Sequence, residues 1–336
     1  MELATDYMGL PLRNPLVASA SPISHTVEGV RRLAEGGVGA VVLHSLFEEE
    51  LAEEAERQER LAGVGSESFA ESLTYFPDVA NSQFGPRNYL SLVERSAAAV
   101  EVPVIASLNG ATPSGWTGYA RAMQDAGAAA IELNITYLPA DNRVSGSEVE
   151  QRHLEVLQLV KASVSVPIAV KLSPYFSSMG EMARKLDEAG ANALVLFNRF
   201  LYPDIDSETL GLAPGVGLSK PSEARLPRAW IALLRGRVRC ALAATTGVEG
   251  PEDVARYLLA GADVVMTTSA LLRHGPEHAT VLLSGLSAWM ERKGFANLGA
   301  LRGKLAVGSQ GDQAARARAG YVAALRAANA APYGPW

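Results

Sequence analysis

One phrase recurs four times along the chain and limits what it can fold into. "EGGVGAVVLHS" (35–45), "DAGAAAIELNIT" (125–136), "EAGANALVLFNR" (188–199) and "LAGADVVMTTS" (259–269) share a pattern. A helix-like stretch ends at a glycine. Small residues follow, then a short apolar run, then a polar residue. Glycine suits a helix C-terminus because it adopts the left-handed conformation without a Cβ penalty. The run after it has strand length and aliphatic or β-branched character. Each phrase predicts helix, tight turn and buried parallel strand.

Four further runs fit the same strand role: "NPLVASAS" (14–21), "PVIASLNG" (103–110), "PIAVKLSP" (167–174) and "CALAATTG" (240–247). Amphipathic patterns such as "GWTGYARAMQDAG" and "GSEVEQRHLEVLQLVKAS" lie between them. Strands alternating with helices imply parallel β-α units. Eight units with near-continuous apolar strands predict an α/β protein, a single (β/α)8 TIM barrel spanning 1–336. The alternative is a doubly wound open sheet. It expects a glycine-rich dinucleotide fingerprint after an early strand, and "SASPIS" does not supply one.

Two connections are long, 46–85 after strand two and 199–222 after strand six. Both leave strand C-terminal ends, where barrels build their sites. The first opens with "FEEELAEEAERQER", read as a solvated helical face, and "GDQAARARAGYVAALRAANA" reads as a C-terminal helix packed on the barrel or on a partner subunit.

Composition narrows the function classes. A net charge of -6 offers no basic field for nucleic acid, and the one cysteine, Cys240, excludes a disulfide framework or a cysteine-rich metal site. The start, "MELATDYMGLPLRNP", lacks the basic and apolar regions of a signal peptide, and no long uncharged apolar run suggests a membrane helix. The expectation is a cytoplasmic protein.

In a barrel the polar residues closing each strand converge on one mouth. They are Ser19 and Ser21, His44 and Ser45, Asn109, Asn134 and Thr136, Lys171 and Ser173, Asn198, Thr245 and Thr246, and Thr267, Thr268 and Ser269. The last two strands each run into a hydroxyl-rich turn and a helix start. Backbone N–H groups and the dipole at such helix starts bind phosphate, and barrels often place a phosphate site in these two loops. The structural alternative is that Thr245, Thr246, Thr268 and Ser269 only cap helices. Lys171 ends a buried strand and needs an anion or acceptor, either a structural ion pair or a ligand. Asn134 and Asn198 both donate and accept, which suits a planar heterocycle. His25, His153, His274 and His278 read as surface residues. His153 and Glu150 stand three apart on a helix without further ligands, so metal binding is not supported.

At these residues the chain resembles the dihydroorotate dehydrogenase family. "NPLVASAS" looks like that family's first-strand flavin segment, "GPRNYLSLV" its loop before the third strand, and "ELNIT" its fourth-strand segment. "VKLSPYF" resembles its lysine-bearing fifth strand, "LFNR" its sixth-strand asparagine, and "TTGVEGPEDVARYLLAGADVVMTTSALLRHGP" its phosphate-binding end. "ASLNG", "LVLFNRFLYPDID" and "LAATTGV" look like a divergent bacterial group within it. The resemblance implies an FMN-dependent oxidoreductase acting on CH–CH bonds, with hydride passing between flavin N5 and a small planar, pyrimidine-like or enone-like, substrate. Ser19, Ala20 and Ser21 would line the flavin ring, with His44, Ser45 and Asn109 nearby. Asn134 and Lys171 would meet its polar edge, and Thr245, Thr246, Gly247, Thr268 and Ser269 would hold the phosphate. Asn134, Asn198 and Gln83 would bind substrate.

The chain departs from the family at several positions. Thr246 and Thr268 stand where it usually has glycine, His44 where it has lysine and Gln83 where it has a substrate asparagine. Tyr137 falls where the cysteine base would be, and Pro139 where a second substrate asparagine would be. A phenol of ordinary pKa near about 10 is a better acid than base at neutral pH. Tyr137, or Thr136 as a relay, would then protonate a substrate carbon in ene-reduction, with Lys171 the third catalytic candidate. The resemblance also implies a homodimer and leaves room for a separate electron-transfer protein. Two other readings remain: a flavin-binding protein without turnover, and a phosphate-binding barrel lyase using Lys171 as a Schiff-base nucleophile.

Overall fold

The computed structural model describes residues 1–50, 85–110, 116–137, 139, 141–199, 203–213, 215, 217–308 and 313–330, with backbone alone for 313–317. Eight strands close into a parallel barrel. They are β1 (Leu16–Ala18), β2 (Ala40–Phe47), β3 (Val104–Gly110), β4 (Ala130–Ile135), β5 (Ile168–Leu172), β6 (Ala193–Leu196), β7 (Ala241–Ala244) and β8 (Val264–Thr267). Sequential strands pair around the ring, and β8 closes on β1 with Val265 opposite Leu16 and Thr267 opposite Ala18. Seven helices alternate with them: α1 (Val27–Glu35), α2 (Pro86–Ala99), α3 (Trp116–Asp125), α4 (Gly146–Ser163), α5 (Met179–Glu188), α6 (Arg225–Leu234) and α7 (Pro251–Ala260). After β8 come α8 (Ser269–His274), α9 (His278–Lys293), α10 (Leu298–Leu301) and α11 (Gln313–Ala330).

The recurring glycine has one physical role in all four phrases. Gly37, Gly127, Gly190 and Gly261 take φ of +108°, +96°, +92° and +122°. Each turns the chain from a helix end into the next strand in a conformation L side chains avoid.

The barrel interior is a cluster of buried residues that includes Val17, Val42, Ile105, Ala130, Ala169, Val195, Ala243 and Met266. Side chains alternate faces along a strand, so the inward set continues from Ile105 to Ser107, from Ala130 to Glu132 and Asn134, and from Ala169 to Lys171. The polar residues inside otherwise apolar runs are therefore the upper layer of the barrel. On β2 the register shifts between Val42 and Ser45, which sets Ser45 opposite Ser107. Their hydroxyls lie 2.8 Å apart. Bulges of this kind commonly re-aim side chains beside active sites.

Two features escape sequence reading because their strands are three residues long. An N-terminal hairpin, Thr5–Tyr7 with Leu10–Leu12, turns through Met8 (φ +59°) and Gly9 (φ +82°). Tyr7 and Leu12 join the inner cluster and plug the end away from the mouth. A second hairpin, Asp204–Asp206 with Gly211–Ala213, occupies the connection after β6, where an irregular loop was expected. Of the first long connection, 51–84 lie outside the described residues, and with them most of the acidic run and Gln83. The expected C-terminal helix is present, and Tyr321 and Leu325 on it are exposed.

Candidate active site

Lys171 finds its anion on the next strand. Asn134 of β4 stands opposite Lys171 of β5, and Glu132 opposite Ala169, so Glu132 and Lys171 are diagonal neighbours on the inward face. Lys171 Nζ lies 3.3 Å from Glu132 Oε1, with the two residues 8% and 1% exposed. The second carboxylate oxygen, Oε2, has no hydrogen-bond partner. A lysine held against a carboxylate on the inward face presents a positive charge fixed in place.

Beside this pair runs a chain of polar groups. The Asn198 amide donates to Thr136 Oγ1 at 3.3 Å, and Thr136 Oγ1 donates to Asn134 Oδ1 at 3.3 Å. The sequence-predicted amides and the hydroxyl thus form one connected edge, drawn from β4 and the residues after β6.

The ends of β7 and β8 make the third part. Gly247 N–H donates to Ser219 Oγ at 3.1 Å, and the Ser219 and Ser269 hydroxyls lie 2.9 Å apart. Arg273 Nη2 donates to the Ser219 carbonyl at 3.0 Å and pairs with Glu249, which His274 also meets at 2.7 Å. Burial pushes the Glu249 carboxyl up, but His274 and Arg273 outweigh it and hold its pKa below the usual range. Thr246 has φ +80°, a region costly for a β-branched residue. It is pinned there: Tyr257 donates to its carbonyl at 2.7 Å, and its own hydroxyl donates to Phe197 O at 3.3 Å. Thr268 donates to Ser19 O at 2.9 Å. A hydroxyl has one proton to give, so neither threonine has one left for a phosphate. Backbone N–H groups remain for that task, including the first-turn amides of α8.

A cavity of about 360 Å³ lies between these groups, lined by Ser19, Ala20, Lys171, Asn198, Thr245, Thr246, Gly247, Thr268 and Ser269. Phe197, Val248, Met266 and Leu272 give it apolar walls, and Arg199 and Ser219 add polar ones. Its lining combines a cation, Lys171, and an amide, Asn198, with the hydroxyl-bearing loops after β7 and β8, a donor set that suits a molecule with a polar ring and an anionic tail.

The dihydroorotate dehydrogenase family model matches residues 2–290. The chain belongs to the dihydroorotate dehydrogenase family. It is 29% identical over 315 residues to the NAD(+)-type dihydroorotate dehydrogenase B catalytic subunit of Methanothermobacter thermautotrophicus, covering 88% of this chain and 96% of that one. It is 28% identical over 304 residues to a putative fumarate-type dihydroorotate dehydrogenase A of Aeropyrum pernix, covering 88% and 95%. The fumarate-type dihydroorotate dehydrogenase A of Limosilactobacillus reuteri is 27% identical over 308 residues, covering 88% and 96%.

Dihydroorotate dehydrogenase family enzymes are FMN oxidoreductases acting on a CH–CH bond of a small molecule. The donor set fits that cofactor, with Lys171 and Asn198 for a polar ring edge and the loops after β7 and β8 for a phosphate, and Gly247 lets the first of those loops pack closely. At Gly247 (φ +69°) a Cβ would stand 2.7 Å from the Lys220 carbonyl, so the loop closes this tightly only around glycine. Among the described residues no helix is long and apolar enough to cross a membrane.

Several residues expected at the flavin stand outside this cavity. Ser21, His44, Ser45, Asn109, Asn134 and Thr136 do not line the cavity, although Asn134 is linked through Thr136 to Asn198, which does. His44 sits between His25, ring centroids 4.0 Å apart, and Tyr89, edge-on at 5.0 Å. Burial and the neighbouring His25 push its pKa down to about 4, so it is neutral at pH 7. His25 is therefore part of a histidine pair and not an isolated surface residue.

Tyr137 faces a second cavity of about 280 Å³ with Pro139, Val149, His153, Ser173 and Phe176. The Arg152 guanidinium covers its ring at 3.9 Å. His153, expected at the surface, is 2% exposed. The missed signal was the stripe Val149, His153, Val156, Leu157 and Val160, whose spacing marks one buried helix face.

Proposed function

We propose that this chain oxidises or reduces a carbon–carbon bond in a small planar, pyrimidine-like or enone-like, substrate, and that ene-reduction is its favoured direction. The observation that carries this reading is the end of β4. Asn134 is followed by Thr136 and Tyr137, with no thiol base, while Thr136 bridges the two amides. To act as the acid, Thr136 would turn its one proton from Asn134 Oδ1 to the substrate carbon and regain a proton from solvent.

FMN, when bound, supplies the hydride chemistry. Ser19 and Ala20 would line its ring, and Thr245, Thr246, Gly247, Thr268 and Ser269 its phosphate end; the N–H groups of Thr245 and Gly247 are given to Leu196 O and Ser219 Oγ, so the first-turn N–H groups of α8 would be the donors. Lys171, steadied by Glu132, holds a positive charge at the wall where negative charge develops in reduction; in a dry site such a charge counts for far more than in water. Asn134 and Asn198 orient the substrate, and Thr136 moves the proton. Tyr137 lines the second cavity, so Thr136 carries the proton ahead of it. The apolar walls of Phe197 and Met266 exclude water.

We read the whole of 1–336 as one FMN-binding unit, homodimeric and cytoplasmic. Electrons enter or leave through a separate protein or small acceptor. A chain with one cysteine has no cluster ligands of its own, and the Methanothermobacter relative is named a catalytic subunit. The test is anaerobic. The purified yellow protein is mixed with dihydroorotate, and the reduced protein with 2-cyclohexenone. Reoxidation by the enone without bleaching by dihydroorotate is expected. Rapid bleaching by dihydroorotate would overturn the preference.

A further inference from the structure

Three segments meet at Ser219. It lies at the end of the connection after β6, and it lines the flavin cavity together with Gly247 after β7 and Ser269 after β8. Ser219 N–H donates to Ser269 Oγ at 3.0 Å, and Gly247 N–H donates to Ser219 Oγ at 3.1 Å. The two hydroxyl oxygens lie 2.9 Å apart. Ser219 is 5% exposed and Ser269 9%.

Each hydroxyl therefore already accepts one backbone N–H, and each has one proton to give. The bond between them uses one of the two protons, whichever oxygen donates. The other has no acceptor among the described residues. A buried O–H on a cavity wall calls for an acceptor, and here it comes from outside the chain. Thr246 and Thr268 on the same wall have given their protons to carbonyls. The serine pair has not.

Arg273 holds Ser219 from behind. Its Nη2 donates to the Ser219 carbonyl at 3.0 Å, and its Nη1 pairs with Glu249, two residues after Gly247. Arg273 itself does not line the cavity. The contacts run in a ring, from Gly247 to Ser219 to Arg273 to Glu249 and back along the chain. One guanidinium thus ties the Ser219 segment to the loop after β7.

We propose that Ser219 and Ser269 act as one hydroxyl donor toward the flavin phosphate, and that Arg273 is the positioning residue that keeps Ser219 in that pair, roles that rest on FMN occupying this cavity with its phosphate beside the loops after β7 and β8.

The test compares FMN with riboflavin, which has the same ring and no phosphate, on the full-length protein freed of flavin. Dissociation constants come from quenching of flavin fluorescence. Ser219→Ala leaves Ser269 its proton, and Ser269→Ala leaves Ser219 its own, so each single variant should bind FMN within about threefold of the parent. The double variant should bind FMN at least ~10-fold more weakly and riboflavin as the parent does. Arg273→Met/Glu249→Gln removes both charges, and FMN should still weaken several-fold with riboflavin unchanged. FMN affinity held within about threefold in the double serine variant, or an equal loss of riboflavin, overturns the donor pair. Full FMN affinity in Arg273→Met/Glu249→Gln overturns the positioning role. A parent that binds FMN and riboflavin alike overturns the phosphate placement, and one that binds neither overturns the flavin reading beneath it.

Discussion

Lys171 and Glu132 form a buried ion pair across adjacent barrel strands, 3.3 Å from Nζ to Oε1, with Glu132 Oε2 left unpartnered. Removing one partner strands the other charge in the interior. Lys171→Met should cost about 3–5 kcal/mol of stability, and the double variant Lys171→Met/Glu132→Gln should recover most of it. Urea unfolding of the four proteins measures the difference. A Lys171→Met cost under about 1 kcal/mol would mean that the pair contributes little to the fold.

Glu132 also moderates the charge that Lys171 shows the cavity. Glu132→Gln keeps the shape and removes the negative charge. The flavin midpoint potential should rise, because reduced flavin is favoured by an uncompensated cation. Spectroelectrochemical titration gives the answer; an unchanged or lower potential refutes it.

Thr246 sits at φ +80° with its hydroxyl donated to Phe197 O. Thr246→Gly relieves about 1–3 kcal/mol of backbone strain and loses a hydrogen bond of about 1 kcal/mol. Stability should be unchanged or improved, and FMN affinity should stay within about threefold. A tenfold weaker FMN complex, read by flavin fluorescence, would show that the hydroxyl itself holds the phosphate.

Thr136 joins Asn134 and Asn198. Thr136→Val keeps its shape and removes the proton. Flavin should be retained at full occupancy while the rate of flavin reoxidation by enone falls about 10²–10⁴-fold. Rapid-mixing absorbance measures it, and a rate within threefold of the parent would assign the proton to another group.

His44, with its pKa near 4, and His153, also lowered, are neutral in the folded protein at pH 7. In the unfolded chain each binds a proton below about pH 6.5. The unfolded state then holds more protons, so stability is complete above that pH and falls as pH drops toward 4. Each histidine contributes a slope below about 1.4 kcal/mol per pH unit, reduced for His44 by its partial exposure. Melting temperatures from pH 7.5 to 4.5 should show a shallower decline in His44→Gln than in the parent.

The barrel was legible because its signal is local and repeated. Each helix-glycine-strand phrase carries its own turn chemistry, and the four glycines at positive φ bear this out. Lys171 was legible as a residue in need of an anion, but Glu132 was not legible as that anion. Their pairing is diagonal between strands some forty positions apart, and only the register sets it. Ser219 and Arg273 escaped for a related reason. They act from a loop without periodicity and from a short helix, and their contacts exist only after the ring closes. Tyr137 was placed by homologous position, and the alternation of the strand end turns it away from Thr136 toward α4.

Thr268 donates to the Ser19 carbonyl across the join between the final strand and the initial one. The residues expected around FMN, Ser19 at its ring and Thr268 at its phosphate, therefore belong to opposite ends of the polypeptide's path around the barrel. During synthesis that site cannot exist until residues near 270 have left the ribosome and met the segment made first. Flavin uptake would thus act as a report of finished assembly, and a chain truncated before β8 would be colourless even with seven strands intact.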